Sequence, residues 1–134
     1  MKLDGGCLCG NIRYSIDSLP IDAGFCHCKV CQRSSGAPVV AWLTIPFAGF
    51  SYTGGTIGVY ASSKDFQREF CSCCGTQIAF RAKSQPKSID ITLCSLDDSS
   101  QVAPQYHIWC QSSVNWLHVN DDLPQFMDSG PDGP

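Results

Sequence analysis

Cys26-His27-Cys28-Lys29-Val30-Cys31 decides the reading of this chain, because it packs three thiols into six residues. Two further cysteine knuckles flank it, Cys7-Leu8-Cys9-Gly10 before it and Cys71-Ser72-Cys73-Cys74-Gly75 after it. The flanking knuckles supply four thiolates, from Cys7, Cys9, Cys71 and Cys74, which make a closed tetrahedral zinc site. The central group, Cys26, Cys28 and Cys31, supplies three and leaves one coordination position free. Structural zinc sites are closed, whereas catalytic ones keep an opening for water or substrate. The pattern therefore predicts two zinc ions per chain, one that holds the fold and a central, more easily lost one that works on a substrate.

Glycine follows both flanking knuckles, at Gly10 and Gly75. A zinc knuckle folds its backbone over the metal so that N–H groups face the thiolates, and glycine tolerates the positive φ this requires. Gln32 follows the central group instead, which separates the two roles. Cys73 offers an alternative partner for Cys71, but Cys74 directly precedes Gly75 and is the expected ligand. A zinc that ties the first strand to the middle of the chain replaces core that a small β domain lacks.

At 134 residues, with 43% hydrophobic and 16% charged content and a formal charge of −3, the chain has the composition of one globular domain. No basic run is present, which argues against nucleic acid as a partner. Metallation by thiolates makes the balance still more negative. No apolar leader is expected at Met1–Gly6 and no apolar run is long enough to span a membrane. Ten cysteines without an export signal point to a reducing, cytoplasmic setting in which thiols bind metal. A disulfide scaffold competes, since the count is even, but a Cys-x-Cys pair does not easily bridge to itself.

Residues 11–17, 76–81 and 88–93 alternate apolar and polar side chains and read as strands. Residues 39–45, 56–60 and 66–70 read as further strands between turn residues. No eleven-residue window carries a helical stripe, and one short helical turn is expected over residues 29–34. The expected architecture is all-β, a single zinc-organised domain over residues 1–127, with 128–134 as a flexible tail.

Three thiolates leave a Zn²⁺ shell with net negative charge, a weak Lewis acid that ionises water poorly. A thiol suits the fourth position better, and metal-bound thiol is held as the nucleophilic thiolate. The expected chemistry is attack of a substrate thiol on a small electrophile. The competing reading closes the site with His27, His107 or His118 and makes it structural. Cys94 and Cys110 read as small buried hydrophobes.

These residues, in this order, resemble the glutathione-dependent formaldehyde-activating enzyme and centromere protein V family. The likeness runs from about Leu3 to Met127 and rests on Gly5-Gly6-Cys7-Leu8-Cys9-Gly10, the central cysteine group, and Ser35-Gly36-Ala37-Pro38. It continues through Phe70-Cys71-Ser72-Cys73-Cys74-Gly75-Thr76, Ser95-Leu96-Asp97-Asp98, His107-Ile108-Trp109, Asn115-Trp116 and Leu123-Pro124. The resemblance implies a β-tent fold, structural zinc on Cys7, Cys9, Cys71 and Cys74, and catalytic zinc on Cys26, Cys28 and Cys31. It also implies the addition of glutathione to formaldehyde to give S-hydroxymethylglutathione, a carbon–sulfur lyase in the reverse sense. Gln32, where a basic residue is usual, and the additional Cys73, Cys94 and Cys110 depart from the pattern.

Lys29, Arg33 and Arg81 are candidates for holding glutathione carboxylates, although solvated surface is the commoner place for such residues. Trp42, Trp109 and Trp116 are candidates for walling a pocket, although core packing is the commoner use of each. A non-enzymatic zinc domain that binds a protein partner is the alternative function, because fold does not fix function.

Overall fold

The computed structural model describes residues 2–132; Met1 of the expected leaderless start and residues 133–134 of the expected tail lie outside the described residues. Among the described residues ten strands form two sheets. β1 (Leu3–Gly6), β2 (Arg13–Ile16) and β5 (Phe50–Gly54) make a three-stranded antiparallel sheet. The second sheet has seven strands in the order β10-β3-β4-β9-β8-β7-β6. Its members are β3 (Asp22–Cys26), β4 (Val40–Pro46), β6 (Ile57–Tyr60), β7 (Phe66–Cys71), β8 (Gln77–Ala82), β9 (Ser88–Thr92) and β10 (His107–Ile108).

Six of these strands coincide with the expected runs. The single α-helix among the described residues, α1 (Lys29–Ser35), begins where a helical turn was expected and closes at Gly36 in the left-handed conformation. β1, β3, β5 and β10 were not among the expected strands. The first three carry glycine, which blurs alternation, and β10 is two residues long and pairs parallel to β3 across the chain.

The two sheets share one core. Leu3, Tyr14 and Ile16 from the smaller sheet pack with Leu43, Ile45, Ile78, Ile89 and Ile91 from the larger. Each buried aliphatic side chain contributes about 1.5–3 kcal/mol. Glu69 is also buried there, accepting from Tyr52 Oη at 2.7 Å, Gln67 Nε2 at 2.8 Å and Arg81 Nε at 2.7 Å. A second, smaller cluster gathers Cys26, Cys31, Tyr106 and Ile108, with Trp42 and Trp109 against it.

Residues 124–128 run beside β10. His107 N–H donates to Pro124 O, Phe126 N–H to His107 O, and Trp109 N–H to Asp128 O. One 3₁₀ turn follows at Gly130–Asp132. No helix among the described residues is long and apolar enough to cross a membrane.

Candidate functional site

The loop after β1 carries Cys7 and Cys9, and the turn between β7 and β8 carries Cys71 and Cys74. Their four sulfurs lie within 4.8 Å of one another. A tetrahedral shell of zinc–sulfur bonds about 2.3 Å long spaces its sulfurs about 3.8 Å apart. Cys7 and Cys9 sulfurs are 3.6 Å apart, and Cys9 and Cys71 sulfurs 3.8 Å, so the donor set fits a zinc ion. Backbone N–H groups face the sulfurs as a knuckle demands: Ile12 donates to Cys7 at 3.1 Å, and Cys73 and Cys74 each donate to Cys71 at 3.4 Å. Gly10 and Gly75 adopt φ of 82° and 79° and donate back to Cys7 O and Cys71 O. Thr76 lies 3.2 Å from Cys74 Sγ, and its hydroxyl pulls that thiol down to about 5. Cys73 is exposed, outside the group, with Asn11 Nδ2 at 3.6 Å from its sulfur.

The central cysteines come from three places: Cys26 ends β3, Cys28 caps α1, and Cys31 lies within α1. Their sulfurs also lie within 4.8 Å of one another. At that spacing the neighbouring Cys26 and Cys31 thiols favour the thiolate at Cys28 and lower it, while Cys26 and Cys31 are raised. Three thiolates this close repel one another, so a cation is needed for all three to ionise. The donor set therefore fits a soft divalent metal.

None of the three histidines joins these sulfurs. The carboxylate of Asp121 accepts only, so His107 Nε2 donates to Asp121 Oδ2 at 2.8 Å and His27 Nε2 donates to His107 Nδ1 at 2.8 Å. This chain turns the His27 ring away from the thiols on either side of it. It borders a second cavity, of about 410 Å³, that His118 and Cys110 also line. Gln32 braces the cysteine loop against the turn after β10, because its Nε2 donates to His27 O at 2.7 Å and to Ser112 O at 3.0 Å. Cys94 is exposed, which corrects its reading as a buried hydrophobe; it caps no core because its 3₁₀ turn buries Leu93 instead.

The three thiols open into a cleft of about 530 Å³. Side chains alternate across a strand, so one face of the larger sheet presents Cys26, Trp42, Thr44, Phe80, Asp90 and Arg68 to the cleft. The other face presents Leu43, Ile91, Ala79 and Glu69 to the core. Trp109 closes one side with a φ of 55°, unusual for so bulky a residue. Trp116 is exposed and lies outside the cleft.

Lys29 and Arg33 are exposed on α1, and neither lines the cleft. Arg81 is ion-paired to Glu69 on the core side. The cation that does line the cleft is Arg68, which sequence reasoning missed. The signal was present in Phe66-Gln67-Arg68-Glu69-Phe70, where alternation places Arg68 on one face between two aromatic residues.

A family model described as glutathione-dependent formaldehyde-activating enzyme matches residues 2–112. Among curated proteins, an uncharacterized lyase of Schizosaccharomyces pombe is 32% identical over 86 residues, covering 59% of this chain and 57% of the relative. The match thus spans little more than half the length of that relative. Among solved structures, a Rhodobacter sphaeroides protein from structural genomics superposes with a TM-score of 0.59 at 16% identity, covering 92% of this chain and 98% of the other. With its cysteine groups in place and most of its length matched, the chain belongs to the glutathione-dependent formaldehyde-activating enzyme family.

Proposed function

We propose that this protein is a zinc-dependent carbon–sulfur lyase that condenses a thiol, glutathione first, with formaldehyde or another small aldehyde to give the S-hydroxyalkyl adduct. The observation that carries this reading is a group of three thiols, joined by no histidine, that opens into a cleft rather than into packed core. The family name and the lyase name of the yeast relative agree with it.

Cys26, Cys28 and Cys31 would hold the working zinc, and Cys7, Cys9, Cys71 and Cys74 the structural one. When bound at the central group, zinc lowers the pKa of a substrate thiol so that it is a thiolate at neutral pH. The protein residues bind and orient. Cys31 is buried in α1, and its N–H donates to Cys28 Sγ at 3.3 Å, which fixes the sulfur cradle. Trp42, Phe80, Tyr106 and Trp109 give the cleft apolar walls that exclude bulk water from the reacting groups. Seven of the ten cysteines gathered at two centres suit a reducing compartment, the cytoplasm.

Exchange NMR of glutathione and formaldehyde with their adduct tests the proposal against the spontaneous background. Zinc-loaded protein should accelerate the exchange, and Cys28→Ser should abolish the acceleration. Acceleration that survives in Cys28→Ser would remove the central thiols from the mechanism, and none from the zinc-loaded protein would favour a non-enzymatic, partner-binding zinc domain or a different thiol and aldehyde.

A further inference from the structure

We propose that Arg68 is a catalytic residue, holding the aldehyde oxygen as it becomes an alkoxide; this role rests on the thiol–aldehyde reading above. Arg68 is only 9% exposed, yet it lines the cleft and is the sole cation among the described residues that do. Its Nη1 donates to Gln77 Oε1 at 2.8 Å and Ser34 Oγ at 3.3 Å. Its guanidinium carbon lies 5.1 Å from the centre of the Phe80 ring and 5.8 Å from that of Trp42. The group is therefore fixed in place before any substrate arrives.

Two of its donors are left over. Among the described residues Nη2 hydrogen-bonds only the sulfur of Cys31, at 4.0 Å, and the buried Nε has no hydrogen-bond partner. A sparsely paired guanidinium on a buried cation is costly, and the cleft it lines gives its Nη2 edge room for an anionic acceptor. Bond connectivity decides which acceptor. The carboxylates of glutathione are separated from its sulfur by an amide and more, whereas the aldehyde oxygen sits on the very carbon that joins the sulfur. A donor against Cys31 is placed for the second.

In the forward step the thiolate lone pair forms the C–S bond and the C=O π pair withdraws onto oxygen. The alkoxide then takes a proton from water, replacing the one the thiol released to solvent, and nothing is oxidised or reduced. Fixed donors facing that oxygen in a desolvated cleft stabilise the charge as it develops, without reorganisation.

The test compares zinc-loaded wild type, Arg68→Met and Arg68→Lys in the adduct-exchange assay. Loss of one such donor group typically costs about 10²–10³-fold in kcat, so Arg68→Met should fall by that factor. Arg68→Lys, which keeps the charge but not the fork, should fall by about tenfold. KM for glutathione should stay within about threefold, and guanidinium ion added to Arg68→Met should restore part of the rate. Cobalt-substituted proteins, titrated with glutathione and read by thiolate-to-cobalt absorption, should bind the thiol alike in all three. A kcat in Arg68→Met within about threefold of wild type would overturn the role. So would thiol binding on cobalt weakened by the same factor as the rate, because Arg68 would then only shape the thiol site. If Arg68→Met does not fold, an undiminished rate in Arg68→Lys overturns it. Failure of the wild type itself to accelerate exchange would instead remove the thiol–aldehyde reading, and this role with it.

Discussion

Replacing Cys74 and Cys73 one at a time separates the ligand from its neighbour. Cys9 and Cys71 are 62 residues apart in the chain and 3.8 Å apart at sulfur. A cross-link across a loop of that length removes about 4 kcal/mol of closure entropy from the unfolded chain. This is a floor for a metal tie, since zinc peptides gain about 10–16 kcal/mol from the whole site. Domains of this size are stable by about 5–15 kcal/mol, so opening the tie is a large fraction of the total. At about 3–4 °C per kcal/mol, Cys74→Ser should lower Tm by about 15 °C or more and lose one zinc equivalent. The Cys73 side chain is exposed and its one hydrogen bond among the described residues is from Asn11, so Cys73→Ser should keep both equivalents and change stability by about 0.5 kcal/mol or less. The assay is dye-detected zinc release alongside thermal unfolding. A Cys73→Ser protein that loses a zinc equivalent, or a Cys74→Ser protein that keeps both, would refute the reasoning.

Glu69 offers a stability test away from the metals. Glu69→Ala strands the Tyr52 hydroxyl, the Gln67 amide and the Arg81 guanidinium, and should cost about 3–5 kcal/mol in denaturant unfolding; a cost under about 1 kcal/mol would show that water already serves these groups. Acid stability tests the histidine chain. The hydrogen bond from His107 holds the Asp121 carboxyl below its ordinary range. Its folded pKa is thus depressed, so its contribution is full above the unfolded value near 3.9 and is lost as pH falls through the lower folded value. Asp121→Asn lacks this contribution. Urea midpoints of wild type and Asp121→Asn should therefore converge as pH falls below about 4, and a gap that stays constant from pH 6 to pH 3 would remove the argument.

Much of the site could be read from local chemistry. The knuckle glycines Gly10 and Gly75 need positive φ, and they show it. Alternation marked β2, β8 and β9, because a half-buried strand writes its two faces into successive residues. Cys74 could be chosen over Cys73 from the glycine beside it, and the structure brings Cys74 into the four-sulfur group. Each of these depends on neighbours within a few residues.

What lay outside the sequence's reach is long-range. β10 exists only because residues 107–108 meet β3, and the strip at 124–128 only because it meets β10. His27 stands between two thiols in sequence, yet His107 and Asp121 draw its ring to the opposite side. Lys29 and Arg33 are near the central cysteines in the chain and point to solvent, while Arg68, some forty residues on, reaches Cys31. Composition and period 2 fix which residues share a face of one strand. Which faces meet, and so which cation lies beside the three thiols, follows from sheet order and packing across the whole chain.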